Sequence, residues 1–237
     1  MKYYIVAILT LVLVGTLGYS HRVDPIELVN ANVFMAKNSD SKEGHATVFA
    51  IEDGYLVTAN HVCELFRTKE YIMVVGLGLK KILAINIQND ICLLEGDVKA
   101  TGLKLNLGYK AFQPVFTINY QGQYKPKAIH YGNISEKKPL KDVAFQIITQ
   151  VQSQQCIAYG WMVYLDGSGM LCLSDYEGVM TTVFGEPGAS GGPMLNDNGE
   201  VVGLNRAIVQ RSGELIFMEA VKIAKLVYEY EQSNKKK

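Results

Sequence analysis

The chain has 237 residues with 23 acidic and 23 basic side chains, so its formal charge near neutrality is zero. That balance leaves no electrostatic footprint for nucleic acid or for an acidic partner. With 49% hydrophobic residues and 6 prolines the chain is globular rather than disordered, and it lacks repeats and low-complexity runs beyond a basic tail at residues 233–237.

Residues 1–20 begin with Met-Lys and then carry no charge from Tyr3 to Ser20. The mostly apolar run from Tyr3 to Gly18 fits either a signal-peptide core or a short membrane anchor. Gly18-Tyr19-Ser20 offers a small-x-small cleavage pattern, and Lys2 favours a cytoplasmic terminus. The remainder, read as one domain over residues 21–232, is therefore expected outside the cytoplasm, secreted or anchored. Cys63, Cys92, Cys156 and Cys172 would then lie where disulfides are permitted. Their spacing matches no zinc motif, so no metal or cofactor is expected. Buried free thiols are the simpler expectation, since each cysteine sits among apolar residues.

Beyond the terminus the pattern is strand-like. "HATVFAIEDGYLVTANHV" holds two apolar runs around Asp53-Gly54, a strong hairpin signal. A short helical turn fits after His61. "DICLLE", "PVFTINY" and "VAFQIITQV" read as further short strands, and "LDGSGML" as another hairpin. "GPMLNDNGEVVGLNRAIV" repeats the hairpin device at Asn198-Gly199, and Ser212-Gly213 suggests one more. Short strands at this density indicate an all-β barrel or sandwich. A C-terminal helix is expected where Ala220, Ile223, Ala224 and Val227 share one face.

"GEPGASGGPML" places five small residues, Gly188 to Gly192, between two prolines. It is either a surface loop or a backbone that approaches something closely and presents one hydroxyl, Ser190. A serine needs a base to take its proton, and histidine is the usual one. Of the four histidines, His21, His45 and His130 sit in contexts that suit surface or structural roles. His61 stands just past a strand, where a rigid scaffold presents reactive groups. That base needs an acid behind it. Asp90 precedes the apolar run "ICLLE", whereas Asp97 follows it and Asp53 belongs to its turn.

The order His61, Asp90, Ser190 gains its meaning from local context. "GYLVTANHV", "DICLL" and "GASGGPMLNDNGEVVGLNRAI" resemble the histidine, aspartate and serine motifs of trypsin-like serine peptidases, and most of all the HtrA/Deg branch. "YGNIS" and "IFMEAV" are similar more weakly, and the resemblance extends over about residues 44–227. It implies two six-stranded antiparallel β-barrels, the first over about 30–100 and the second over about 101–220, with a short C-terminal helix. It also implies a serine endopeptidase acting on protein or peptide through an acyl-enzyme. His61, Asp90 and Ser190 would be catalytic, and the N–H groups of Gly188 and Ser190 would form the oxyanion hole.

The chain departs from the pattern in several places. Ala189 stands where digestive trypsins have an aspartate and the HtrA/Deg branch usually an asparagine, so no zymogen switch through a freed N-terminus is expected. At 237 residues no PDZ domain is expected to follow the protease domain. Arg206 stands where a small hydroxyl residue is common, on the strand expected to line the substrate cleft. Phe184, Arg206 and Ile208 are the expected substrate-binding residues, with Phe217 or Met218 from the returning strand. An apolar Phe184 favours cleavage after small or medium apolar residues; Glu186 in its place would favour basic ones. The alternative function is a catalytically silent relative that binds peptides. A lipase-type elbow fits Gly188–Gly192 literally, but the order of the three residues and the all-β pattern exclude that fold.

Overall fold

The computed structural model describes residues 25–37, 45–96, 102–120, 127–139, 177–208 and 212–235. A short helix, α1 (Pro25–Ala31), leads into β1 (Val33–Lys37), β2 (His45–Ala50) and β3 (Tyr55–Ala59). Helix α2 (Asn60–Phe66) follows, then β4 (Tyr71–Val74), β5 (Gly78–Asn86) and β6 (Ile91–Glu95). These strands close antiparallel into a barrel in the order β1-β2-β3-β6-β5-β4. The second barrel comprises β7 (Pro114–Asn119), β8 (Ala128–Pro139), β9 (Glu177–Phe184), β10 (Pro193–Asn196), β11 (Val201–Ile208) and β12 (Glu214–Glu219). Its order is β10-β11-β12-β9-β8-β7. The expected pair of six-stranded antiparallel barrels is thus present, and closure removes the exposed edges that short strands would otherwise leave.

Apolar residues on the strands make the interiors. Val48, Phe49, Val57, Leu93 and Leu94 are wholly buried in the first barrel, with Val57 opposite Leu93 and Leu56 opposite Leu94. Each such side chain contributes about 1.5–3 kcal/mol relative to exposure. The second interior holds Val115, Ile134, Val179, Val183, Val202 and Phe217.

Two devices hold the barrels together. The connector pairs Leu103 with Ile51 of the first barrel and Leu105 with Val201 of the second. The C-terminal helix, α3 (Ala220–Asn234), leaves the second barrel and packs Ile223, Leu226 and Val227 into the core cluster that both barrels share. Its apolar face matches the expected one, with Leu226 added and Ala224 half-buried.

The Asp53-Gly54 turn joins β2 to β3, and Asn198-Gly199 joins β10 to β11. The hairpin at "LDGSGML", the strand at "VAFQIITQV", Cys156, Cys172 and residues 1–20 lie outside the described residues. Among the described residues, no helix is long and apolar enough to cross a membrane.

The expectation of free thiols fails for one pair. Cys63 on α2 and Cys92 on β6 form a disulfide, with Cα atoms 6.4 Å apart. The 29-residue separation hid this proximity, which arises because β3 and β6 are neighbours in the first barrel.

Candidate active site

The strand β3 ends at Ala59, and the chain turns at once into α2, which carries His61 near its first turn. No side chain of the preceding residue caps this helix. Asp90 does so from the start of the neighbouring strand β6: its carbonyl accepts the Asn60 N–H at 3.0 Å and its Oδ1 accepts the His61 N–H at 2.8 Å. The other carboxylate oxygen, Oδ2, lies 2.8 Å from His61 Nδ1. One aspartate therefore satisfies two of the orphan donors of the helix and holds the imidazole ring.

The backbone explains how Asp90 is presented to α2. Its φ is +55°, in the left-handed region that aspartate tolerates better than most residues. That conformation closes the turn between β5 and β6 and aims the carboxylate at α2. The side chain is 2% exposed and that of His61 17%. Burial alone would push the Asp90 carboxyl up. The His61 charge and hydrogen bonds, with the Arg206 cation, outweigh it and hold the carboxyl below the usual range.

Ser190 lies in the loop between β9 and β10. Thr47 grips this loop twice: its N–H donates to the Ser190 carbonyl at 3.0 Å and its hydroxyl to the Gly188 carbonyl at 2.7 Å. Gly191 has φ +80°, and a Cβ there would lie 2.1 Å from Thr58 Oγ1 and 2.9 Å from Ala59 N. The residue after Ser190 is thus pressed against the end of β3, the strand that leads into the helix carrying His61. Gly188 has φ +101°, and a Cβ on it would meet the Tyr120 carbonyl at 2.3 Å and His45 Nε2 at 2.4 Å. These contacts explain the run of small residues. Among the described residues, the N–H groups of Gly188 and Ser190 donate to no other group, and no hydrogen bond links the Ser190 hydroxyl to His61.

Behind the loop sits a buried polar cluster. The Asn205 amide donates to Thr117 Oγ1 at 2.7 Å and to Asn119 Oδ1 at 3.2 Å. The Asn205 backbone carbonyl accepts the Gly191 N–H and its N–H donates to the Gly192 carbonyl, both at 2.8 Å. Thr47, Thr58, Asn119 and Asn205 were not singled out from the sequence. Buried threonines and asparagines are a usable signal only once the pairing that joins them is known.

The substrate-lining expectations fare unevenly. Phe184 is 48% exposed at the end of β9, its ring 6.0 Å from that of His130. Ile208, at the end of β11, is half-buried. Arg206 was placed with them, but its side chain is 2% exposed, with Nε 3.6 Å from Asp90 Oδ2. Phe217 and Met218 are also spent elsewhere: Phe217 is wholly buried in the second interior, and Met218 packs in the larger core cluster, which draws on both barrels. His45, expected to be an ordinary structural histidine, flanks Gly188; burial and nearby Lys37 lower its pKa.

Comparison with known proteins agrees with this architecture. Residues 44–204 match the family described as "Trypsin-like peptidase domain", and the chain belongs to that family. A probable periplasmic serine endoprotease DegP-like from Chlamydia trachomatis is 31% identical over 166 residues, covering 70% of this chain and 28% of the relative. The chain thus matches little more than a quarter of the length of that protein. The crystal structure of the Rv3671c protease from M. tuberculosis in its active form superposes with a TM-score of 0.62 at 15% identity, covering 86% of this chain and 82% of that one. The serine endoprotease from Yersinia pestis gives a TM-score of 0.61 at 15% identity, covering 89% of this chain and 66% of that one. At such identities these structures speak for the fold alone.

Proposed function

We propose that the chain is a serine endopeptidase in which Ser190 is the nucleophile, His61 the general base and Asp90 the residue that orients the base. The observation that carries this reading is the contact of 2.8 Å between His61 Nδ1 and Asp90 Oδ2, built beside the loop that presents Ser190. An ionised Asp90 makes Nδ1 the donor and leaves Nε2 to receive a proton. As Ser190 Oγ bonds to the substrate carbonyl carbon, its proton passes to Nε2. The carbonyl oxygen becomes an oxyanion facing the N–H groups of Gly188 and Ser190, each such donor being worth about 3–4 kcal/mol. Collapse breaks the C–N bond, and the leaving amine takes the proton from Nε2. Water then releases the acyl group by the same route.

Phe184 and Ile208 border the proposed pocket for the substrate side chain. Neither carries a charge to pair with lysine or arginine, which supports cleavage after small or medium apolar residues. The periplasmic assignment in the name of the Chlamydia relative supports an extracytoplasmic site of action, with residues 1–20 as signal or anchor. Labelling with a fluorophosphonate probe tests the catalytic reading: the wild type reacts and Ser190→Ala does not. An unlabelled wild type would instead indicate a silent peptide-binding relative.

A further inference from the structure

Arg206 sits on β11 of the second barrel, yet its guanidinium reaches the aspartate of the first. Its Nε lies 3.6 Å from Asp90 Oδ2, the same oxygen that contacts His61 Nδ1 at 2.8 Å. The Arg206 and Asp90 side chains are each 2% exposed, so little solvent screens the pair. A buried guanidinium is costly to desolvate and is found where its charge is balanced. Here the balancing charge is one that the proposed mechanism also needs.

We propose that Arg206 is a positioning residue of the triad: it shares Asp90 Oδ2 with His61, offsets part of the carboxylate charge, and thereby sets the pH range in which His61 serves as a base. The proposal rests on the catalytic reading given above. Its physical content is a competition. A bare carboxylate favours the imidazolium and keeps His61 protonated to higher pH. A cation on the far side of the same oxygen weakens that pull, and a neutral side chain in its place restores it.

Few other charges face this pair. His61 and Arg206 are the charged groups that act on Asp90. Glu64 on α2 and Arg67 just past its end pair with each other at 2.8 Å, half-buried and exposed respectively. On β5, Lys81 pairs with Glu70 at 3.8 Å, and both Lys80 and Lys81 lie at the strand end away from Asn86, which adjoins the Asp90 turn. Glu95 is at the far end of β6, and β3 carries no charged residue. Removing the Arg206 charge therefore removes the cation that acts on Asp90.

The test compares Arg206→Gln and Arg206→Met with Arg206→Lys. Titration of ¹⁵N-labelled imidazole in the Ser190→Ala background reads His61 without any turnover. The acid limb of kcat/KM, measured with Ser190 intact, reads the same group in the active enzyme. The neutral variants are expected to move both midpoints upward by about one pH unit. Arg206→Lys, which keeps the charge, is expected to move them by less. Neutral variants that fold but leave the His61 midpoint in place overturn the proposal. So does the case in which neither neutral variant folds while Arg206→Lys does, because Arg206 would then serve stability alone. If the wild type fails to react with the fluorophosphonate, the catalytic reading falls, and the imidazole titration still decides whether Arg206 and His61 are coupled through Asp90.

Discussion

Cys63 and Cys92 are joined by a disulfide, and each stands two residues beyond a member of the proposed triad, His61 on α2 and Asp90 before β6. The covalent tie runs beside the hydrogen bonds from His61 to Asp90. It closes a 29-residue separation, for which loop entropy corresponds to about 3–4 kcal/mol. The double variant Cys63→Ala/Cys92→Ala should lose about that much unfolding free energy in a urea titration. An unchanged midpoint would show that the bridge adds nothing to the packing around it.

Asp90 has two tasks, and substitutions separate them. Asp90→Asn keeps an acceptor for the α2 N–H groups but removes the charge, so activity should fall on the order of 10⁴-fold with a modest change in stability. Asp90→Ala should also destabilise the fold by about 3–5 kcal/mol, because the buried Arg206 loses the carboxylate 3.6 Å from its Nε and α2 loses an N–H acceptor. Kinetics and denaturant midpoints measured together check both. Near-full activity in Asp90→Ala, with loss of activity in Asp97→Ala, would transfer the role to Asp97.

Gly191→Ala should damage both stability and activity. Its φ of +80° strains any side chain, and a Cβ would press on Thr58 Oγ1 and the Thr47 carbonyl. Strain and overpacking together suggest a loss of about 2–4 kcal/mol. The serine loop would shift away from His61, so reaction with a fluorophosphonate should slow as well. A variant that labels at the wild-type rate would mean that the loop tolerates this displacement.

Glu200 ties the connector to the β10–β11 hairpin. Its carboxylate accepts from Lys104 Nζ at 2.6 Å, Asn106 Nδ2 at 2.7 Å and Asn196 Nδ2 at 2.9 Å, and these bonds lower its pKa from 4.5 to about 2. A depressed carboxylate pKa stabilises the fold above the unfolded value and loses that contribution as pH falls through the folded one. The wild type should therefore lose stability between about pH 4.5 and pH 2. In Glu200→Gln that part of the decline should vanish. Thermal melts across this window measure it, and parallel curves for the two proteins would remove Glu200 from the account.

Specificity follows from the uncharged residues bordering the proposed pocket. A peptide library digested by the protein and read by mass spectrometry should show cleavage after Ala, Val or Leu. Dominant cleavage after Arg or Lys would place Glu186, rather than Phe184, against the substrate side chain.

Local signals in the sequence determined much of this. Asp53-Gly54 and Asn198-Gly199 marked hairpins because those turns need residues that accept unusual backbone angles. The spacing of Ile223 and Val227 marked the buried face of α3, since helical periodicity is a property of neighbours in the chain. His61, Asp90 and Ser190 stood out through their flanking motifs. Tertiary structure alone decided the relationships between distant strands. Arg206 appeared to line the substrate cleft, because only barrel closure and the approach of β11 to the Asp90 turn bring its guanidinium onto that carboxylate. The Cys63–Cys92 pairing depended in the same way on β3 lying beside β6. Phe217 and Met218 were drawn into cores by the direction each side chain takes from its strand. Sequence patterns report the period of one element; which faces and ends meet is set by register and closure, which few local residues encode.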